Sequence, residues 1–249
     1  VVLAQGAQRA RLDELTVTHG DGAVRVSNGR GLELELVEHF LAALGGLGIR
    51  EGVTATVEGP EFPLLDGGAR ELADALLAMG LEVAAPRLRV ARAGVIARGK
   101  SSYAFAPGAS VELSVEIEFD HRAVGRQTAR WSGDPHDFRE RIAIARTFGF
   151  TADAADLRAR RRARLFWVSD SAARAAAHRA VVTYGESAGP PEAAPAPDEA
   201  ARHKLLDLIG DLALYGGPPQ GSIEARRPGH TATHDIVRRA LDLGLLSRR

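Results

Sequence analysis

The sequence has no cysteine among its 249 residues. That one absence excludes disulfides, thiolate metal sites and cysteine nucleophiles together. Lysine is nearly missing too. Lys100 and Lys204 stand alone, and arginine supplies the rest of the 32 basic residues. With 32 acidic residues the net charge is +0, which argues against a non-specific grip on nucleic acid or anionic lipid. Aromatics make up 5%, too few for a base-stacking surface. No apolar run approaches the ~18 residues of a membrane span. No charged-then-apolar leader opens the sequence. The expectation is a cytoplasmic monomer without stable membrane insertion or a nucleic-acid partner.

What is present is an ordinary globular balance, 45% hydrophobic and 26% charged. The length suits one large domain or two small ones. Around the turn His19-Gly20-Asp21-Gly22, residues 12–17 and 23–26 have weak strand character. Residues 37–45 read as a short apolar helix stopped by glycines, 53–57 as a strand, and 69–79 as an amphipathic helix ending at Gly80. Pro86 marks a candidate boundary between domains 1–86 and 87–249.

Beyond it, 88–96 and 111–119 read as strands, the second by strict alternation of Val111, Leu113, Val115, Ile117 and Phe119. Residues 138–145 read as a helix, 165–168 and 180–184 as strands, and 187–200 as a proline-rich loop. A helix at 203–215, a strand at 222–225 and a helix at 233–243 close the chain. The arginine-rich run 158–164 reads as a solvated helix end or loop, or as a contact for an anionic partner.

Two passages echo one another. Glu38-His39 and His203-Lys204 each open an apolar helix, followed by a strand, a loop and a helix ending at Gly80 or Gly244. This order implies two similar α+β halves, with the histidine-bearing helices meeting at their junction.

Gly94-Val95-Ile96-Ala97-Arg98-Gly99-Lys100-Ser101 matches the P-loop letter for letter. That chemistry needs a helix to follow, so that its N–H groups face phosphate. Here an alternating segment follows and breaks at Pro107, as a hairpin strand does.

A dispersed constellation carries more weight. His203 and Asp207, at i and i+4, share a helix face and suit one metal ion; Asp211 lies a turn further on. Glu38-His39 adds an imidazole and a carboxylate, and His230 another imidazole. Each has a plainer reading: a helical ion pair for His203–Asp207, a helix N-terminus for Glu38, a solvated loop for His230.

These residues lie in segments that resemble one family. Val37-Glu38-His39-Phe40-Leu41-Ala42-Ala43-Leu44-Gly45-Gly46-Leu47-Gly48-Ile49 is similar to a signature of UDP-3-O-acyl-N-acetylglucosamine deacetylases. Gly59-Pro60-Glu61-Phe62-Pro63-Leu64-Leu65-Asp66-Gly67, Ala145-Arg146-Thr147-Phe148-Gly149-Phe150, Arg202-His203-Lys204-Leu205-Leu206-Asp207-Leu208-Ile209-Gly210-Asp211-Leu212 and Gly229-His230 follow in family order. The resemblance implies an α+β chain of two similar two-layer sandwich domains with the active site at their interface. It implies a zinc (or Fe2+) hydrolase that removes an N-acetyl group from a nucleotide-sugar in lipid A biosynthesis.

Carried over by position, the resemblance makes His39, His203 and Asp207 the metal ligands and Glu38 the general base. His230, oriented by Asp211, becomes the acid or oxyanion stabiliser, and Thr147 an oxyanion donor. Lys204, Phe148, Phe119 and His121 become substrate contacts.

The surroundings depart from the family pattern. An N-terminal Gly-x-Gly-Leu-His-Ser-Gly-like block is not found, implying that part of the first domain's sheet is missing or replaced. Arg122 and Gly68 stand where proline and serine are usual. Between 158 and 201 a glycine-rich stretch that builds the acyl passage gives way to bulky residues such as Phe166 and Trp167. A blocked passage forfeits ~0.8 kcal/mol per unburied methylene. Two alternatives therefore stand beside the lipid A substrate: a divergent paralogue acting on another N-acetylated sugar or amide, and a non-catalytic ligand-binding relative.

Overall fold

The computed structural model describes residues 1–20, 23–150, 179–185 and 194–249. A hairpin of β1 (Val2–Gln5) and β2 (Gln8–Arg11) opens the chain, and a 3-10 turn, Leu12–Glu14, follows. β3 (Thr16–Gly20), β4 (Ala23–Ser27) and β5 (Glu33–Glu35) form an antiparallel meander leading into α1 (Glu38–Leu47). β6 (Thr54–Thr56) returns parallel to β1, and α2 (Arg70–Ala78) completes the first half.

β7 (Leu88–Val90), β8 (Gly94–Arg98), β9 (Ser101–Ala106), β10 (Val111–Glu118) and β11 (Arg126–Trp131) open the second half. A short α3 (Pro135–Asp137) runs into a π-turn, Phe138–Ile142, where an ordinary helix was expected. β12 (Thr147–Phe150) pairs in parallel with β13 (Val181–Tyr184). α4 (Glu199–Ala213), β14 (Gly221–Arg226), α5 (His230–Asp242) and β15 (Leu246–Arg248) follow.

The main sheet has the order β11-β10-β14-β9-β8. β10 earns its place there by the alternation seen in its sequence: Leu113, Val115 and Ile117 are buried on one face. Among the described residues, no sheet draws strands from both sides of Pro86. The architecture is the expected α+β, and the echoed order recurs as α1–β6–α2 and α4–β14–α5.

The P-loop match is a hairpin. Gly99-Lys100 is the turn between β8 and β9, and Ala97 pairs with Ser102. A strand rather than a helix follows the glycines, so the motif is a coincidence of letters.

α1 and α4 form the centre. All ten residues of α1 are buried, and α4 buries all but Lys204 and Ala213. A helix apolar around most of its circumference must be enclosed on all sides. The two helices cross closely because glycines face the contact. A Cβ on Gly210 would stand 3.1 Å from the Glu38 carbonyl carbon and closer to its oxygen. A Cβ on Gly45 would meet Ile209 at 3.0 Å.

Several expected boundaries shift: 12–14 is a 3-10 turn rather than strand, and 88–96 divides into β7 and β8. α4 begins at Glu199, because that side chain ties the helix start to Arg146. His230 is the first residue of α5 rather than a loop residue. The expected strand at 165–168, the arginine run 158–164, and Phe166 and Trp167 lie outside the described residues.

Candidate active site

The site is built where the first turn of α1 meets the middle of α4 and the start of α5. Leu36, at φ 56°, turns the chain from β5 into α1. That left-handed conformation costs a non-glycine residue about 1–2 kcal/mol. It delivers Glu38 and His39 as the first two residues of a buried helix.

Donor atoms of His39, His203 and Asp207 lie within 4.8 Å of one another, and all three residues are buried. His203 Nδ1 hydrogen-bonds the Ala145 carbonyl at 3.0 Å, which leaves Nε2 turned to Asp207 Oδ1 at 3.5 Å. Two ligands bound at 2.0–2.1 Å to a tetrahedral ion are separated by roughly 3.4 Å.

Lys204 Nζ donates to Asp207 Oδ2 at 2.7 Å, whereas Asp207 Oδ1 is shut off from solvent without a hydrogen-bond partner. Buried polar atoms left unpaired cost about 1–3 kcal/mol each. A cation among these donors would relieve the carboxylate's deficit, so the donor set fits a metal ion.

Electrostatics favour that reading. Burial, then the neighbouring His203, lowers the His39 pKa to about 3, which keeps the ring neutral. Burial likewise lowers that of His203. Burial opposes ionisation of Asp207, but Lys204, His203 and His230 outweigh it and hold the carboxylate charged. Neutral imidazoles and an ionised carboxylate are the forms that bind metal.

Glu38 and His230 flank this cluster. His230 Nε2 lies 3.9 Å from Glu38 Oε1 and 3.8 Å from Asp207 Oδ2. Burial raises the Glu38 pKa to about 7, although His230 pulls the other way. Burial works against charge on His230, but Asp211 and Asp207 overcome it and lift its pKa to about 10. Asp211, itself 1% exposed, accepts from His230 Nδ1 at 2.9 Å. Two facing groups are thus driven apart in proton affinity, one toward a base and one toward an acid.

Thr147 opens β12, its N–H donating to Gly67 O at 2.7 Å. Phe119, His121 and Phe148 gather with Phe150 and Tyr184 in one aromatic cluster. Phe148 reaches the His39–His203–Asp207 cluster, 6.1 Å from His203 ring to ring. Lys204 spans both environments, bonded to Asp207 and 5.5 Å over the Phe148 ring. Gly68 has a local cause: a Cβ there would overlap the Ala143 carbonyl oxygen.

Sequence reasoning missed three participants. His234 Nε2 lies 3.2 Å from Asp211 Oδ1, and its Nδ1 meets the Tyr215 hydroxyl at 3.0 Å. The i,i+4 spacing from His230 was the available signal. Glu199 is the second: its carboxylate accepts from Arg146 Nε at 2.8 Å, Arg146 N at 3.1 Å and Ala196 N at 3.0 Å. That network fixes the strand start carrying Thr147 against the helix carrying His203. The third, Tyr103, sits next to the false P-loop and places its hydroxyl 2.7 Å from Thr233 Oγ1.

The family described as LpxC: UDP-3-O-acyl N-acetylglycosamine deacetylase matches residues 4–242. The chain belongs to this family. Among curated relatives, the UDP-3-O-acyl-N-acetylglucosamine deacetylase of Myxococcus xanthus (strain DK1622) is 32% identical over 225 residues, covering 89% of this chain and 68% of the relative. The enzyme of the same name from Phenylobacterium zucineum (strain HLK1) is 35% identical over 216 residues, 86% of this chain and 70% of the relative. No helix among the described residues is long and apolar enough to cross a membrane.

Proposed function

We propose that the chain hydrolyses the N-acetyl group of a UDP-3-O-acyl-N-acetylglucosamine, releasing acetate and the free amine in lipid A biosynthesis. The observation that carries this reading is the facing pair Glu38 and His230 across the His39–His203–Asp207 donor set. In this reading His39, His203 and Asp207 hold a divalent metal ion, zinc or Fe2+. Such an ion supplies a lowered water pKa and polarisation of the amide carbonyl.

Glu38, as carboxylate, takes a proton from the attacking water. A base with its pKa near the working pH is well matched to that task. The water oxygen bonds to the acetyl carbon, and the carbon–nitrogen bond breaks. His230, as imidazolium, gives its proton to the departing amine nitrogen. Asp211 receives the His230 Nδ1–H, so that Nε2 presents the transferable proton. Thr147 donates to the developing oxyanion. Lys204 offers positive charge beside the cluster, and Phe148, Phe119 and His121 offer an apolar wall for the sugar and its acyl chain.

The test is acetate release from a UDP-3-O-acyl-N-acetylglucosamine by protein carrying one zinc per chain. Glu38→Gln should keep the metal and lose roughly 10²–10⁴-fold in kcat. His203→Ala should lose the metal. Hydrolysis of UDP-N-acetylglucosamine at equal efficiency would favour the paralogue reading. Metal-free wild-type protein after exposure to zinc would refute the assignment of ligands.

A further inference from the structure

His234 takes no part in the reaction proposed above, yet it is enclosed beside the groups that do. It lies on α5 one turn beyond His230 and is 0% exposed. Residues four apart on a helix share a face, and from that face both rings reach Asp211. Asp211 Oδ1 accepts from His230 Nδ1 at 2.9 Å and stands 3.2 Å from His234 Nε2. The other edge of the His234 ring meets Tyr215, just past the end of α4. Nδ1 lies 3.0 Å from the Tyr215 hydroxyl, and the ring centroids are 5.7 Å apart.

These contacts fix where the protons sit. Burial opposes charge on Asp211, but His230 and His234 hold its pKa down to about 2, so the carboxylate is ionised. An ionised carboxylate only accepts, so the facing His234 Nε2 carries a proton. Nδ1 of the neutral ring then accepts from the Tyr215 hydroxyl. Arg238 agrees with this order, because it stands beside the same hydroxyl and a guanidinium can only donate to its oxygen. The terminal torsion of a carboxylate is soft. One donor leaves it free to turn, whereas two donors from one helix hold it. We propose that His234 is a positioning residue: by fixing the Asp211 carboxylate it holds the His230 ring with Nε2 toward the His39–His203–Asp207 cluster. The consequence for turnover rests on the deacetylase reading; the placement of the ring does not.

Two measurements on zinc-loaded protein test it. Ring 1H–15N NMR of histidine-labelled protein reads the placement without substrate. The His230 Nδ1–H signal, identified by its loss in His230→Gln, should be protected from exchange with water in wild type and lose that protection in His234→Leu. His234→Gln, whose amide can replace the Nε2 donor, should keep it. Tyr215→Phe leaves both imidazoles in place and should weaken the same protection, which covers the case of a His234→Leu that does not fold. Steady-state kinetics read the consequence. His234→Leu should lower kcat roughly 10²-fold with KM within about two-fold, as for a misplaced reacting group. His234→Gln should recover most of that loss. In an Asp211→Asn background, His234→Leu should cost no more than about two-fold further, because residues acting through one group are not additive. A His230 signal unprotected in wild type or unchanged in His234→Leu would overturn the proposal. So would a His234→Gln as slow as His234→Leu, or a full further loss in the Asp211→Asn background. An inactive wild type would defeat the deacetylase reading alone, and the NMR comparison would still decide what holds His230.

Discussion

Alanine at position 210 adds one methyl group where α4 crosses α1. With the backbone fixed, that methyl would stand 3.1 Å from the Glu38 carbonyl carbon and 3.2 Å from the Ala42 nitrogen, and nearer still to the Glu38 oxygen. Comfortable carbon contacts lie at about 3.5–4.0 Å. All three opposing atoms belong to a buried helix backbone, so no flexible side chain can yield, and the helices must part by about 1 Å to clear the oxygen. Overpacking of this kind costs about 1–3 kcal/mol. Replacing glycine by alanine inside a helix returns about 1 kcal/mol. The net loss is then at most about 2 kcal/mol, a Tm decrease of no more than about 8 °C at 2–4 °C per kcal/mol. The chemical consequence is larger. The same displacement moves Glu38 and His39 away from His203 and Asp207, and a 1 Å misplacement costs roughly 10²-fold in rate. Gly210→Ala should therefore lose far more kcat/KM than its stability loss suggests, measured on zinc-loaded protein well below its Tm. Gly45→Ala, whose added methyl meets Ile209 at 3.0 Å, should be milder. If Gly210→Ala keeps kcat/KM within about two-fold of wild type, helix spacing does not set the site geometry and the reasoning fails.

Other expectations follow from the charged network. Asp211→Asn removes the main group that lifts His230 to about 10, leaving only Asp207 and Glu38 to oppose burial, so the pKa falls. The alkaline limb of the kcat–pH profile should move to lower pH, with more activity lost at pH 9 than at pH 6; superimposable profiles would contradict the acid role. The acid limb in wild type should lie at or below about pH 7, because burial places Glu38 there and a bound cation can only lower it further; a limb above pH 8 would count against Glu38 as base. Glu199 has a depressed pKa, since Arg146 outweighs the opposing effect of burial. Its contribution to stability is present above the unfolded carboxylate pKa and is lost as pH falls through the lower folded value. Glu199→Gln should therefore be destabilised at pH 7, toward the low end of the ~3–5 kcal/mol for breaking a buried pair, and the gap in urea midpoint should close toward pH 3. A gap independent of pH would mean that the ion pair is not its source.

The parts of this molecule that could be read from sequence are those where one local rule and the tertiary packing agree. Alternation in 111–119 marked β10 because a half-buried sheet face needs it. The i,i+4 pair His203–Asp207 was legible because a helix places both on one side whatever surrounds them. The false P-loop could be rejected for the complementary reason: Gly99-Lys100 is the turn a hairpin needs, and the residues after it alternate. What was not legible depends on contacts distant in sequence. Asp198 and Glu199 are local signs of a helix start, and Glu199 takes the Ala196 N–H, but the partner that anchors this turn, Arg146, lies 53 positions away. Nothing local marks His230 as helical. Gly229 at its N-cap makes no side-chain bond, and α5 is instead secured by Asp211 from α4 and Tyr103 from β9, the latter through Thr233. The same contacts hold the chemistry in place. Asp211 lies between His230 and His234, so the residue proposed to orient the acid also fastens α5 onto α4. An Asp211 variant therefore tests fold and mechanism together, and only the pH profile separates them: a packing defect scales kcat at every pH, whereas a lost orienting charge moves the alkaline limb.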